Sequence, residues 1–266
     1  MFDEPNMACV RKYLAGLALA LALPTLLGAA APASIATRPI SRMDTPWWRQ
    51  RFEQKQAELK ARHVDLLWLG DSIFQNWEKA GPEPWRNFAP VWQRFYGSRH
   101  AVDLGFRGDS TCHLLWRLQH GELDGINPRA AVLLIGANNF GHVHTDADQT
   151  YEGIVAVLAT LHSRLPTTQI LLLGVLPSIR SGWVSENTRR LNRRLIGLPA
   201  REGAWLHYAD VSSTLENHGQ VDPGRFLDPR LTPPDPPLHP TAETQAAIAA
   251  KIEPQIAAMM GDERRS

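Results

Sequence analysis

The chain has 266 residues, of which 44% are hydrophobic, and its 28 Lys and Arg nearly balance its 27 Asp and Glu. This length and apolar content are enough for one sizeable hydrophobic core, so we expect a single main domain. The chain has no basic surplus that would attract nucleic acid and no acidic tail, so a nucleic acid partner is not expected.

Residues 1–33 have the pattern of a secretory signal peptide. Two basic residues precede a run rich in Leu and Ala, and the run ends in an Ala-x-Ala sequence at 31–33. A transmembrane anchor is the alternative, but Pro24 interrupts the run, which is shorter than the roughly 20 residues needed to span a bilayer. The prediction is a periplasmic or secreted chain without stable membrane insertion after cleavage, although Met7 could equally be the start.

The chain contains two cysteines, Cys9 and Cys112. Cys9 would be removed with the signal peptide, which leaves Cys112 alone in the mature chain. A secreted protein with one thiol has no internal disulfide, so its stability must come from its core. Cys112 follows a glycine turn near a predicted helix start, where a reactive thiolate is conceivable, but a partly buried structural cysteine is the favoured interpretation.

Strands and helices alternate after a short irregular linker over 34–46. Runs of four to six apolar residues without polar alternation are typical of strands buried on both faces of a parallel sheet. The predicted strands are 64–69, 101–104, 130–135, 170–175 and 205–208, and the predicted helices are 48–62, 111–120, 146–165, 185–201 and 241–260. This order predicts a doubly wound α/β sandwich over 47–260, followed by a tail at 261–266.

The stretch LLWLGDSIFQNW, residues 66–77, places Ser72 directly after the first predicted strand. Ligands of doubly wound sheets bind outside the carboxyl ends of the strands, so Ser72 is a candidate nucleophile there. The alternative is that Asp71 or Ser72 only caps the next helix.

Two further turns end at the same edge of the sheet. Gly105 and Gly108 follow the second strand, where a glycine lets a backbone N–H approach a bound oxyanion. Asn138 and Asn139 follow the third strand, and an Asn side-chain amide can donate to a developing negative charge. One of the two asparagines is expected to satisfy turn backbone instead.

His239 precedes the last helix in the stretch DPPLHPTAE. An imidazole in this position could accept the Ser72 proton, with a carboxylate holding the correct tautomer. The other histidines need no catalytic role. His113, His142 and His144 lack a metal-binding spacing on one helix face, so no metal is predicted.

Together these four blocks resemble the SGNH hydrolases, also called GDSL esterases and lipases, whose blocks centre on Ser, Gly, Asn and His. The matching residues here are Ser72, Gly108, Asn138 and His239. The stretch 108–139 is similar to the catalytic subunits of brain-type platelet-activating-factor acetylhydrolase, as are LLLGVLPS at 171–178 and LNRRL at 191–195. The resemblance implies a flavodoxin-like three-layer α/β/α fold around a five-stranded parallel sheet.

The third member of the catalytic triad is the point at which the sequence departs from the family. The family spaces this block as Asp-x-x-His, but Pro236 lies three residues before His239 and Asp235 lies four before. Asp235 is the favoured carboxylate. Asp228, Asp222 or a Ser–His dyad without a carboxylate are the alternatives.

The resemblance implies a cofactor-free serine esterase. Ser72 would attack an ester carbonyl, and the backbone N–H groups of Ser72 and Gly108 with the Asn138 amide would form the oxyanion hole. A periplasmic location and several Trp residues favour short acyl esters, such as acetyl esters, of carbohydrates or polysaccharides as substrates. A lipase or thioesterase and a non-catalytic glycan-binding accessory protein are the alternatives. A dimer is compatible with the resemblance, but the sequence does not determine the oligomeric state.

Overall fold

The computed structural model describes residues 34–264 and contains a central five-stranded parallel sheet. The strand order is β2-β1-β3-β4-β5, which confirms the predicted α/β class with a five-stranded parallel sheet. The strands are β1 Leu66–Gly70, β2 Ala101–Gly105, β3 Ala130–Leu134, β4 Gln169–Leu173 and β5 Leu206–Ala209.

Helices cover both faces of this sheet because successive strand side chains point to opposite faces. Leu67 and Leu69 of β1 pack into one core, whereas Leu66 and Trp68 pack into the other. Both faces of β1 are therefore buried, which is why its sequence shows no polar alternation. The helices are α1 Pro46–Ala61, α2 Ser72–Gln75, α3 Phe88–Tyr96, α4 Thr111–Gln119, α5 Ala147–Arg164, α6 Gly182–Leu195, α7 Leu198–Glu202 and α8 Ala242–Met260.

Two helical regions differ from the sequence prediction. The single helix predicted over 185–201 is two helices, α6 and α7, which are separated at Ile196 and Gly197. Glycine and the following Pro199 disfavour a continuous helix there. Helix α3 was not predicted because Pro90 lies within it, although a proline is tolerated in the first turn of a helix.

The segment 34–46, predicted as an irregular linker, lies against the sheet-and-helix body. Ala36 is fully buried, and its carbonyl oxygen accepts a hydrogen bond of 2.8 Å from Thr111 Oγ1. The backbone N–H of Ile40 donates to the carbonyl of Cys112 at 3.0 Å. This segment is therefore part of the packed structure.

The predicted signal peptide, residues 1–33, lies outside the described residues and stays a prediction. Within 34–264, no helix has both the length and the apolar character needed to cross a bilayer.

A buried ionic network lies beneath the carboxyl edge of the sheet. Arg117 on α4 is completely buried, and its Nε donates to Asp109 Oδ2 at 2.9 Å. Its Nη1 donates to the buried carboxylate of Glu122. Trp48 of α1 donates from Nε1 to Asp109 Oδ1 at 2.8 Å. A buried charge is tolerated only when it is paired and hydrogen-bonded, so this network holds α1, α4 and the turn after β2 in one arrangement.

Replacing the central cation of this network should strongly destabilise the fold. We expect Arg117→Met to lower the free energy of unfolding by about 3–5 kcal/mol, because it leaves the buried Glu122 carboxylate without a countercharge and Asp109 with only Arg42. Arg49→Met, at an exposed position of α1, should change it by less than about 0.5 kcal/mol. Urea denaturation followed by circular dichroism measures both. Equal stability of the two variants would show that the network is energetically unimportant.

Candidate active site

In the turn after β1, the residue that caps the next helix is not the candidate nucleophile. Asp71 is the N-cap of α2, and its Oδ1 accepts a hydrogen bond of 2.9 Å from the backbone N–H of Ile73. Ser72 is the first residue of the helix, and its hydroxyl takes no part in the cap. The turn also requires close backbone approach, since a Cβ at Gly70 would lie 2.4 Å from the carbonyl oxygen of Leu134.

His239 lies beside Ser72, as the sequence predicted. The distance between His239 Nε2 and Ser72 Oγ is 2.8 Å, although the residues are 167 positions apart in the chain. Both side chains are shielded from solvent, Ser72 more completely than His239. This separation suits direct proton transfer from the hydroxyl to the ring nitrogen.

Asp228 is the carboxylate that contacts His239, so the favoured prediction of Asp235 is wrong and one of its alternatives is correct. Asp228 Oδ1 lies 2.6 Å from His239 Nδ1. Asp235 is exposed, and its backbone N–H donates to the carbonyl oxygen of Asp228. Asp222 instead accepts from the backbone of Gly224 at 2.8 Å.

Backbone pairing explains why a carboxylate eleven residues from the histidine takes this role. Residues 225–228 run antiparallel to 238–241, with Leu227 N donating to His239 O at 2.7 Å and Thr241 N to Arg225 O at 3.0 Å. The Pro-rich stretch between these two paired segments is a loop that takes no part in the pairing. Asp228 is therefore placed by the pairing, and the distance along the chain to His239 does not matter.

The environment of Asp228 keeps its carboxylate ionised. Burial raises the pKa of Asp228, but hydrogen bonds from the His239 ring and from the backbone N–H groups of His239 and Leu238 outweigh this effect and lower it. Asp228 Oδ2 accepts the two backbone hydrogen bonds, at 2.6 and 2.7 Å. The carboxylate thus fixes both the imidazole ring and the backbone that carries it.

The two predicted oxyanion donors outside the Ser72 turn lie together. Asn138 is buried, and its Nδ2 donates to the carbonyl oxygen of Asp109 at 2.9 Å. Gly108 precedes Asp109 and has a φ of +77°, a conformation that favours glycine. The second contact of Asn138 Nδ2, with Asp71 Oδ2, is long at 3.4 Å, which leaves one N–H available for a stronger acceptor.

Asn139 performs the structural role expected of one of the two asparagines. Its Oδ1 accepts from the backbone N–H of Thr111 at 3.0 Å, and its Nδ2 donates to Thr111 Oγ1 at 2.9 Å. It therefore ties the turn after β3 to the start of α4.

Cys112 is not a reactive thiol in this structure. It is buried, and burial raises the pKa of its thiol to about 11, so the thiolate is scarce at neutral pH. The structural interpretation is confirmed, with burial more complete than expected.

Among residues 34–264, His113, His142 and His144 do not form a cluster able to hold a metal ion. The ligand atoms that come within 4.8 Å of one another belong instead to His63, Asp65 and His100. That cluster precedes β1 and β2 and so lies at the edge of the sheet opposite Ser72.

Comparison with known proteins agrees with the blocks in this site. A family model for GDSL-like lipases and acylhydrolases matches residues 68–247. The chain is 32% identical to platelet-activating factor acetylhydrolase IB subunit alpha1 of Bos taurus over 183 residues, which are 66% of this chain and 73% of that protein. The human alpha1 subunit is 32% identical over 130 residues, 49% of this chain and 51% of that protein.

Solved structures show the same fold. A putative acylhydrolase from Bacteroides fragilis NCTC 9343 has a TM-score of 0.60 at 19% identity, covering 79% of this chain and 96% of that one. A carbohydrate esterase family 3 protein from Talaromyces cellulolyticus has a TM-score of 0.56 at 17% identity, covering 75% of this chain and 99% of that one.

The chain therefore belongs to the GDSL-like lipase/acylhydrolase family, as its four blocks predicted. Proteins of this class hydrolyse esters, and this chain is an ester hydrolase.

Of two residues beside the site, Arg180 was not identified from the sequence, and Trp183 was covered only as one of several Trp residues that favour a sugar substrate. Arg180, in the loop after β4, donates from Nη2 to the carbonyl oxygen of Ala137 at 3.0 Å, next to Asn138. Trp183, 44% exposed, packs edge-on against Phe140 in the turn after β3. Both lie in or next to a loop without a recognisable motif, so the sequence carried no signal for Arg180 and only a general one for Trp.

A cavity of about 860 Å³ lies at the carboxyl ends of β4 and β5, and Ser72, His239 and Asp228 do not line it. Ser178 lines it and accepts a hydrogen bond of 3.2 Å from Arg180 Nε. Polar side chains such as Thr188, Asn192 and Asp210 line it together with Ile179. The lining is mixed, since Pro177, Ile196 and Val221 also contribute to it.

The contrast between Asp228 and Asp235 can be tested by paired substitutions. We expect Asp228→Asn to lower kcat for p-nitrophenyl acetate by about 10⁴-fold, because the amide favours the wrong imidazole tautomer. Asp235→Asn should stay within about twofold of wild type, as expected for an exposed side chain without a ring contact. A large loss in Asp235→Asn with near-normal activity in Asp228→Asn would overturn the assignment.

Proposed function

We propose that this protein is a secreted or periplasmic serine esterase that removes short acyl groups, chiefly acetyl, from carbohydrate or polysaccharide esters. The observation that carries the proposal is the hydrogen-bonded series Ser72, His239 and Asp228, with distances of 2.8 and 2.6 Å. The series joins a hydroxyl, a base and an orienting carboxylate in the order that nucleophilic acyl transfer requires.

The reaction proceeds in two halves. His239 Nε2 accepts the Ser72 proton while Oγ bonds to the ester carbonyl carbon, giving a tetrahedral intermediate. When the intermediate collapses, its bond to the alcohol oxygen breaks and the imidazolium returns the proton to that oxygen. In the second half, His239 accepts a proton from water as the water oxygen attacks the acyl carbon. The bond from that carbon to Ser72 Oγ then breaks and Oγ takes the proton back, which releases the carboxylic acid and restores the Ser72 hydroxyl.

The oxyanion of each tetrahedral intermediate is stabilised by donors at the ends of three strands. These are the backbone N–H groups of Ser72 and Gly108 and the side-chain amide of Asn138. Ser72 is the first residue of α2, so its N–H has no partner within that helix. The Asn138 amide is held by Asp109, so little reorganisation is needed when charge develops.

Carbohydrate esters are favoured by the surroundings of the nucleophile. Trp183 offers an exposed ring beside the site, and the cavity at the ends of β4 and β5 is lined by polar as well as apolar side chains. Trp48 and Trp77, by contrast, are fully buried and serve the core. The fold is shared with a carbohydrate acetylesterase from Sinorhizobium meliloti, which has a TM-score of 0.52 at 13% identity.

The location rests on the sequence of residues 1–33, whose basic start, apolar run and small-residue end are typical of a signal peptide. Acetylated glycans are esters that an enzyme beyond the cytoplasmic membrane would meet.

Removal of either reacting side chain should abolish turnover. We expect Ser72→Ala and His239→Ala each to lower kcat for p-nitrophenyl acetate by about 10⁶-fold, because the two groups act as one unit. Ser98→Ala, at an exposed serine, is the matched control and should retain wild-type kinetics. A fluorophosphonate probe should label wild type and Ser98→Ala but not Ser72→Ala. Glycan binding without labelling or turnover would support the alternative of a non-catalytic accessory protein.

Acyl-chain preference separates the carbohydrate esterase from a lipase. With p-nitrophenyl acetate, butyrate and octanoate, we expect kcat/KM to be highest for acetate. We also expect Trp183→Ala to raise KM for acetylated xylan roughly threefold to tenfold, the loss expected for one aromatic contact, and to raise KM for p-nitrophenyl acetate less. A preference for octanoate, with xylan unaffected by the substitution, would favour the lipase.

A further inference from the structure

We propose that the natural substrate is an anionic ester, an O-acetylated acidic glycan, whose carboxylates are bound by Lys79, Arg107 and Arg180 around Ser72. This inference rests on the proposed function, since it specifies the carbohydrate that the same site would deacylate. Its basis is the position of three cations on three loops of the active-site rim.

Arg107 is anchored to the turn that carries a proposed oxyanion donor. It immediately precedes Gly108, and its backbone N–H donates to Gln75 Oε1 at 2.6 Å. Gln75 is the last residue of α2, the helix that begins with Ser72. The Arg107 guanidinium is exposed and stacks over the Trp47 ring, 4.7 Å from its centroid.

Arg180 approaches the site from the opposite side. Besides its contact with Ala137, its guanidinium lies in the space that a side chain at Gly141 would fill, since a Cβ there would be 2.9 Å from Arg180 Nη1. It is close enough to Asp71 and Asp228 for their charges to act on its pKa. Arg180 is only half-exposed, which makes a bound countercharge more valuable than at a fully solvated site.

Lys79 lies at the end of the 3₁₀ turn that continues from α2. Its Nζ is 3.3 Å from the centroid of the Trp85 ring. Burial and the nearby charge of Arg107 lower the pKa of Lys79 to about 8, and Asp228 opposes this shift. Lys79 and Arg107 are close enough to repel each other, so an anion bound near both would be stabilised by both charges.

None of the ion pairs found within residues 34–264 includes Lys79, Arg107 or Arg180. Arg42, by contrast, is on the same side of the molecule and is already committed to Asp109. The whole chain carries a net charge of only +1, so these three side chains form a local cationic rim rather than a general basic surface.

The chemistry of this rim favours carboxylates of a sugar chain. Guanidinium groups bind carboxylates through paired hydrogen bonds. The exposed ring of Trp183 can stack on the pyranose rings of such a chain. Uronic acid residues that carry O-acetyl groups combine a carboxylate, a pyranose ring and an acetyl ester.

A pair of substrates that differ only in charge tests the inference. O-acetylated methyl α-D-glucuronoside and O-acetylated methyl α-D-glucoside share the ring and the acetyl ester, and only the first carries a carboxylate at C6. We expect kcat/KM of the wild-type enzyme to be about tenfold higher for the glucuronoside at low salt, the combined effect of two or three exposed charge contacts. Added NaCl should reduce this ratio towards one, because salt screens such contacts.

Substitutions should change the same ratio. Lys79→Gln, Arg107→Gln and Arg180→Gln should each lower it severalfold, whereas Lys79→Arg should preserve it. Arg164→Gln removes a cation just before β4, at the opposite edge of the sheet, and should leave the ratio at its wild-type value. Damage to the acyl-transfer machinery would lower both rates and leave the ratio unchanged, so the ratio reports charge recognition specifically.

The pH dependence of the ratio of kcat/KM values is a second test of the role of Lys79. Lys79 is protonated below about pH 8, so the preference for the glucuronoside should decline between pH 7 and pH 9 as that charge is lost. The charged groups that face Lys79 are Arg107 and Asp228, and the pKa of Asp228 is lowered, so its carboxylate stays ionised over this interval. In Lys79→Arg the decline should disappear.

The outcomes separate this inference from the proposed function. Equal kcat/KM for the two glycosides in wild type, with Ser72→Ala inactive on both, would overturn the anionic substrate and leave the esterase intact. Full activity of Ser72→Ala on both glycosides would overturn the esterase mechanism itself. Hydrolysis of a 2-acetyl phospholipid in strong preference to either glycoside would also overturn the acidic glycan.

Discussion

The hydrogen bonds that Asp228 accepts from the His239 segment are the interaction on which the rest of the site depends. One carboxylate oxygen meets the ring nitrogen, and the other accepts the backbone N–H groups of Leu238 and His239. An imidazole on a long Pro-rich loop would otherwise be free to turn away from Ser72. Because the same carboxylate holds both ring and backbone, the loop can vary in length while the 2.8 Å contact to the nucleophile is kept.

A second constraint positions the donors on the other side of Ser72. The Asp109 side chain is fixed by Arg117 and Trp48, and its carbonyl oxygen orients the Asn138 amide. The buried ionic network thus determines where Gly108 and Asn138 lie relative to the nucleophile. This gives the completely buried Arg117 a role even though a buried ion pair contributes little net stability compared with apolar packing. Its role is to fix a geometry on which charge stabilisation depends.

The sequence predicted the elements whose evidence is local. Apolar runs located all five strands, and each of Ser72, Gly108 and Asn138 follows a strand end, so their convergence followed from parallel topology. Asp228 could not be selected in this way, because its contact with His239 arises from pairing between 225–228 and 238–241. The division of α6 from α7 was missed although Gly197 and Pro199 mark it locally, and α3 was missed because Pro90 lies in its first turn. Arg180 was missed because a single basic residue in a loop has no distinguishing pattern.

The charges around Ser72 are arranged in two zones that have opposite effects. Asp71 and Asp228 are buried next to the nucleophile, and burial raises the pKa of Asp71 to about 6, with the Ile73 hydrogen bond opposing this. These carboxylates disfavour any negative charge that forms or arrives nearby. The cationic rim lies further out, and Arg180 is within electrostatic reach of both carboxylates. The rim can therefore offset their repulsion of an anionic substrate without neutralising the carboxylate that orients His239, since its cations make no ion pair with Asp228.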